Sequence, residues 1–283
     1  MPRKILIALA AVLVLSVMAF AAAWSIALVH AEARVQRALA ALAAAGRPMS
    51  AAGVIPPPVP DEENAAILYK RAARRLGDVL AEGSLMEQLR LLARRVHFRD
   101  ATPEEEAELR GLFAREDVLA ALEEIRIAAR RPQCRFDIRW EDGPEVESLH
   151  KYVLMTFSYV LSARARLFLG DGDRAAAWET VETMLRMADA LRRDPSGNSQ
   201  MVRLAQISMA LATLRRLAAE GPPEPERVIR FVALLDTLDD DAPLMLGLDG
   251  DRLLQGEFLF APRNRAKVLS WLRPDDLASK WEL

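Results

Sequence analysis

The chain has 283 residues, 52% hydrophobic and 28% charged, enough for a packed core in one large domain or two modest ones. A formal net charge of −2 lacks the basic excess of a nucleic-acid footprint. The single cysteine, Cys134, forms no internal disulfide and so does not report the redox compartment.

Only five of the 38 basic residues are lysines. That arginine bias, together with the many alanines, reflects base composition rather than a binding surface. The N-terminus is the most decisive stretch. Residues 1–4 form a basic flank with Arg3 and Lys4, and residues 5–29 carry no charge. As a helix that run extends roughly 37 Å, at about 1.5 Å per residue, against a bilayer core of about 30 Å. A cleavable signal peptide is the competitor, because Ala31-Glu32-Ala33 is an A-x-A-like site. Its apolar region is normally about 7–15 residues, so an uncleaved single-pass anchor is favoured. The short basic tail places the N-terminus inside and the body outside the cytoplasmic membrane, although Arg34, Arg37 and Arg47 follow the span.

Residues 30–45 continue the helix with an apolar stripe of Val35, Leu39 and Leu42, until Gly46 and Pro48. Residues 46–60 carry five prolines (48, 56, 57, 58, 60), a polyproline-II spacer rather than a Pro-x-x-P recognition motif. Residues 61–241 then read as helix after helix. Asp61 opens the first, with Leu68, Ala72, Leu76 and Val79 on its buried face. Capping boxes at Ser84/Glu87 and Thr102/Glu105 start two more. A fourth holds Val118, Leu122, Ile125 and Ala129 and ends before Pro132.

A helical hairpin centres the body. Leu149, Tyr152, Val153, Thr156, Val160, Ala163 and Leu167 share one face, Gly170 takes the left-handed cap, and Asp173 caps a second helix over 174–193. Leu204, Ile207, Leu211, Leu214 and Ala218 predict the buried face of another helix, and Ile229, Val232, Leu235 and Leu238 one more. Residues 242–283 read as irregular, with short helices near 251–258 and 264–272. Arginine pairs at 74–75, 94–95, 130–131, 192–193 and 215–216 lie near helix ends, where cations favour the negative end of the helix dipole.

Residues 132–147 break the helical period. Cys134, Phe136, Ile138 and Trp140 alternate with Arg135, Asp137 and Arg139, the period of a strand, but no second strand is visible. An extended segment laid along the helices, apolar side inward, is expected. Arg135, Arg139, Trp140, Glu141 and Asp142 form the candidate binding segment, and an aromatic plug at Trp140 is the competing and preferred reading.

The run Pro56 to Ala66, with Cys134-Arg135-Phe136, Trp140-Glu141-Asp142-Gly143 and Gly170-Asp171, resembles a group of uncharacterised, N-terminally anchored helical proteins of bacteria. The resemblance covers about a third of the chain and implies no activity. The Gly170 turn, Asp173 and Ala176 also resemble tetratricopeptide hairpins, although the second helix is longer than that motif's and no 34-residue period recurs. The expected fold is therefore all-α: a transmembrane helix, then an array of helical hairpins as a tetratricopeptide-like bundle or short solenoid.

Searches for chemistry give little. Gly170-x-Gly172-x-x-Ala175 matches the dinucleotide fingerprint but follows a helix, and Asp171 and Asp173 would repel a pyrophosphate. The three histidines (30, 97, 150) are isolated, so neither a metal site nor a cofactor is predicted. The expectation is a membrane-anchored binding or scaffold protein of the cell envelope, not an enzyme, whose partner is an envelope protein or peptide and not nucleic acid. The alternative is a hydrolase or lyase of an envelope polymer, using carboxylates of residues 140–147, among them Glu141, Asp142, Glu145 and Glu147.

Overall fold

The computed structural model describes residues 3–78, 81–140, 149–221, 223–238 and 241–260. It is all-helical, with no strand among the described residues beyond one isolated parallel bridge between Asn64 and Gln133. The chain divides into two units, Met1–Gly53 and Val54–Leu283.

The first unit is dominated by α1, Arg3–Ala44. This helix is long and apolar enough to cross a membrane. Its polar side chains are handled locally: the Ser25 hydroxyl donates back to the Ala21 carbonyl at 2.8 Å, within the helix's own turn. Gly46, at φ +70°, follows the end of the helix as expected.

The second unit begins within the proline-rich run, since Val54 is already buried. Its helices are α2 (Ala65–Leu76), α3 (Leu85–Phe98), α4 (Pro103–Phe113), α5 (Glu116–Ala128), α6 (Leu149–Gly170), α7 (Arg174–Ala188), α8 (Gly197–Ala219), α9 (Pro225–Asp236), α10 (Asp241–Gly250) and α11 (Gly256–Phe260). Helix α6 is the central rod, packed against α3, α7 and α8, while α2 pairs with α5. It is also apolar and long enough to cross a bilayer, but most of it is buried among these neighbours.

Several starts follow the sequence. Thr102 and Glu105 form a complete capping box. Ser84 accepts from the Glu87 amide, while the Glu87 carboxylate reaches one residue further back, to the Gly83 amide at 2.6 Å. Two expectations shift. Asp61 does not open α2: residues 61–63 turn, and Asn64 caps the helix by accepting from the Ala66 amide. Gly170 stays helical, and Gly172, at φ +77°, takes the left-handed position. The amides of Gly172 and Asp173 then bond the Leu169 and Phe168 carbonyls, a Schellman closure that requires glycine there. Asp173 caps α7 as predicted, and α7 ends at Ala188, followed by a 3₁₀ turn to Leu191.

Three face assignments fail. On α9, Ile229 and Val232 are exposed and Phe231 is the buried residue instead. Tyr152 is exposed on α6 rather than buried. On α8 the expected apolar stripe is only partly covered, and the buried face carries Ser199, Gln200, Arg203, Gln206 and Thr213 with Ile207, Met209, Ala210 and Leu217. Beyond 242 the short helix expected near 251–258 is present as a π-helical turn (Asp251–Gln255) and α11, α10 stands where irregular chain was expected, and the segment 264–272 lies outside the described residues. The arginine pairs act mainly between elements: Arg75 meets Glu124, Arg130 meets Glu179, and Arg131 donates to the Asp61 and Asn64 carbonyls.

Candidate functional site

The extended segment after α5 is held by α2's own cap. The Asn64 side chain donates to the Arg135 carbonyl and accepts from the Arg135 amide, both at 2.9 Å. The Ala65 amide meets the Gln133 carbonyl at 2.8 Å. One side chain thus caps a helix and supplies a strand-like partner for the segment. Arg135 reaches outward to the Pro56 carbonyl at 3.0 Å, tying in the proline run. It is a strap rather than a ligand group.

Beyond that tie, residues 136–139 wall a cavity of about 450 Å³ together with α2 and the start of α6. Ala73, Leu149 and Val153 supply much of its apolar lining, with Phe136 and Ile138. Lys70 and Arg74, one turn apart on α2, stand exposed beside it, and Arg139 joins them from the segment. Asp137 is the one carboxylate among these lining residues. The result is an apolar recess with a cationic margin, the composition of a site that fixes an anion beside an apolar group.

His150 anchors the floor. Its ring packs on Phe136 with centroids 4.7 Å apart, and Nε2 meets the buried Asp194 carboxylate at 3.0 Å. The other Asp194 oxygen has no hydrogen-bond partner among the described residues. Lys151 next door is buried, and burial pulls its ammonium below the usual lysine range, opposed by Asp194 and Asp251. Tyr69 also lines the cavity. It is 1% exposed, and its hydroxyl finds no partner among the described residues. Burial, with Cys134 nearby, pushes that phenol well above its ordinary value. Burial likewise pushes the Cys134 thiol up, aided by Asp194.

Of the five residues read from sequence, only Arg139 lines the cavity. Trp140 is buried at 9% exposure, and it is Phe136 that joins the main core from this segment. Glu141 and Asp142, like Glu145 and Glu147, lie outside the described residues. Lys70, Arg74, Tyr69, His150 and Asp194 escaped the sequence reading. The available signal was Lys70-x-x-x-Arg74 on one helix face, in a chain with only five lysines. Asp194 is 44 residues from His150 in sequence, a separation no local pattern bridges. No three His, Cys, Asp or Glu side chains stand together as a metal site among the described residues. Compared with known proteins, the chain matches no family model, no curated protein and no solved structure.

Proposed function

We propose that this chain is a single-pass, membrane-anchored binding module of the cell envelope. On this reading α1 sits in the membrane with its N-terminus inside, and the helical-hairpin body presents the groove between residues 136–139, α2 and α6 to a segment of an envelope protein. One observation carries the reading. Consecutive residues 136, 137, 138 and 139 all border the cavity, flanked by Lys70 and Arg74.

A photo-crosslinking residue at Ile138, in full-length protein expressed in membranes, tests this reading. The expected result is a discrete protein adduct that disappears in the Lys70→Glu variant and is absent from a probe at exposed Glu108. Adducts of equal yield at both positions, or none at Ile138, would defeat the groove. The anchor is checked separately: the protein should resist carbonate extraction, and the body should be open to protease added outside the cytoplasmic membrane.

A further inference from the structure

The geometry points to the chemical class of that occupant, and the inference rests on the groove being the binding site: we propose that it takes an extended, acidic peptide, paired through its main chain to Phe136 and Ile138, with acidic side chains on Lys70 and Arg74. In an extended segment, alternate residues direct their amide and carbonyl groups to opposite edges. The edge carrying Gln133 and Arg135 is occupied, by the Ala65 amide and by the Asn64 side chain. The other edge runs through Phe136 and Ile138, whose main-chain groups have no hydrogen-bond partner among the described residues. Main-chain amides and carbonyls left unpaired within the protein call for a partner, from solvent or from a ligand.

A peptide strand supplies both a donor and an acceptor at each alternate residue, which is how strand addition gains affinity. A lipid anion would satisfy the cations but leave those main-chain groups unmatched. Charge sets the peptide's sign. Lys70 and Arg74 make no ion pair among the described residues, and they outnumber Asp137 at the cavity. The recess between them takes an apolar side chain.

The test uses full-length protein in phosphatidylcholine nanodiscs and a fluorescein-labelled octapeptide of alternating glutamate and valine, read by fluorescence anisotropy. Saturable binding is expected, weakening with added salt. The double variant Lys70→Glu/Arg74→Glu, which alters only exposed side chains, should lose affinity by about tenfold or more. N-methylating the amides of one peptide edge should abolish binding, while methylating the other edge leaves it. A peptide alternating lysine and valine should not bind.

Equal binding of both methylated peptides would overturn the strand pairing. Tighter binding to nanodiscs doped with phosphatidylglycerol, independent of the octapeptide, would assign the cations to a lipid headgroup instead. If the Ile138 crosslinker captures its partner while the octapeptide shows no saturable binding, this inference fails and the groove survives. If neither signal appears, both fail.

Discussion

Helices α3 and α8 both pack against α6, yet they bury different chemistry. Helix α3 turns in Met86, Leu89, Leu92, Ala93 and Val96, an apolar stripe at three- and four-residue steps. Helix α8 turns in a largely polar face, several of whose groups reach a specific acceptor or donor. The Gln206 amide donates to the Leu154 carbonyl and to Ser158, at 3.0 and 2.9 Å. Thr213 meets Ser162 at 2.9 Å, and Ser162 in turn meets His97 of α3 at 3.1 Å. The Arg203 guanidinium, 1% exposed, lies 3.5 Å from Asp189. On its other flank α8 meets α10 through close backbone approach, where Gly247 and Gly250 lie against Gly197, Gln200 and Pro195. One rod thus supports two modes of packing. Apolar burial is tolerant of local shape, whereas polar and backbone contacts are specific and unforgiving.

The largest expected effect breaks the apolar mode. Leu89 is fully buried, so Leu89→Ala should cost about 2–5 kcal/mol of unfolding free energy, measured by denaturation of full-length protein in detergent. Gly250→Ala attacks the other mode without removing a single apolar atom. A Cβ there would stand 1.6 Å from the Pro195 carbonyl oxygen, so backbone must move. A loss of about 1–3 kcal/mol or more is expected. A melt unchanged by this substitution would mean that the α8–α10 contact is absent.

Gln200→Met separates hydrogen bonding from volume. Gln200 donates to the Leu191 and Asp194 carbonyls at 2.9 and 2.7 Å, two acceptors in the turn between α7 and α8. Methionine keeps the unbranched shape but strands both acceptors in a buried place, for about 1–3 kcal/mol. If stability holds instead, the polar face of α8 is decoration rather than structure.

This contrast also explains how much was legible. The starts of α3 and α4 and the cap of α7 follow from single residues at fixed spacings, because capping is a local interaction. The stripe of α3 is apolar, so its period gave the face directly. The α8 face was misassigned because Leu204, Leu211 and Leu214 have the right spacing, and nothing local says that Gln206 and Thr213 will find partners on α6. The break in the helical pattern after Pro132 was legible, while the cations facing the segment were not, since Lys70 and Arg74 come to it from α2 across a long separation in sequence. What the sequence offered was the period; what it withheld was every partner chosen by tertiary contact.

Acid gives a milder handle on the α3–α4 junction. Arg99, the Thr102 amide and Arg95 hold the Glu105 carboxyl down to about 2 from 4.5. A carboxylate lowered on folding stabilises fully above its unfolded value and loses that contribution as pH falls from 4.5 toward 2. Stability should therefore decline across that window, and Glu105→Gln should flatten the part of the decline that belongs to this group. An identical acid profile in the variant would remove Glu105 from the account.

The smallest effect is also the most discriminating, because its sign is opposite. Tyr69 sits on the apolar face of α2 and tilts toward Phe157 of α6 at 6.4 Å between ring centroids. Its hydroxyl is buried without a partner among the described residues, unlike the Gln206 side-chain N–H and the Thr213 hydroxyl of α8. Removing a paired group strands its partner, whereas removing an unpaired one relieves a desolvation penalty. Tyr69→Phe should accordingly leave the fold unchanged or raise its stability, by about 1 kcal/mol at most. A Tyr69→Phe protein that melts well below wild type would show that the hydroxyl has a structural partner.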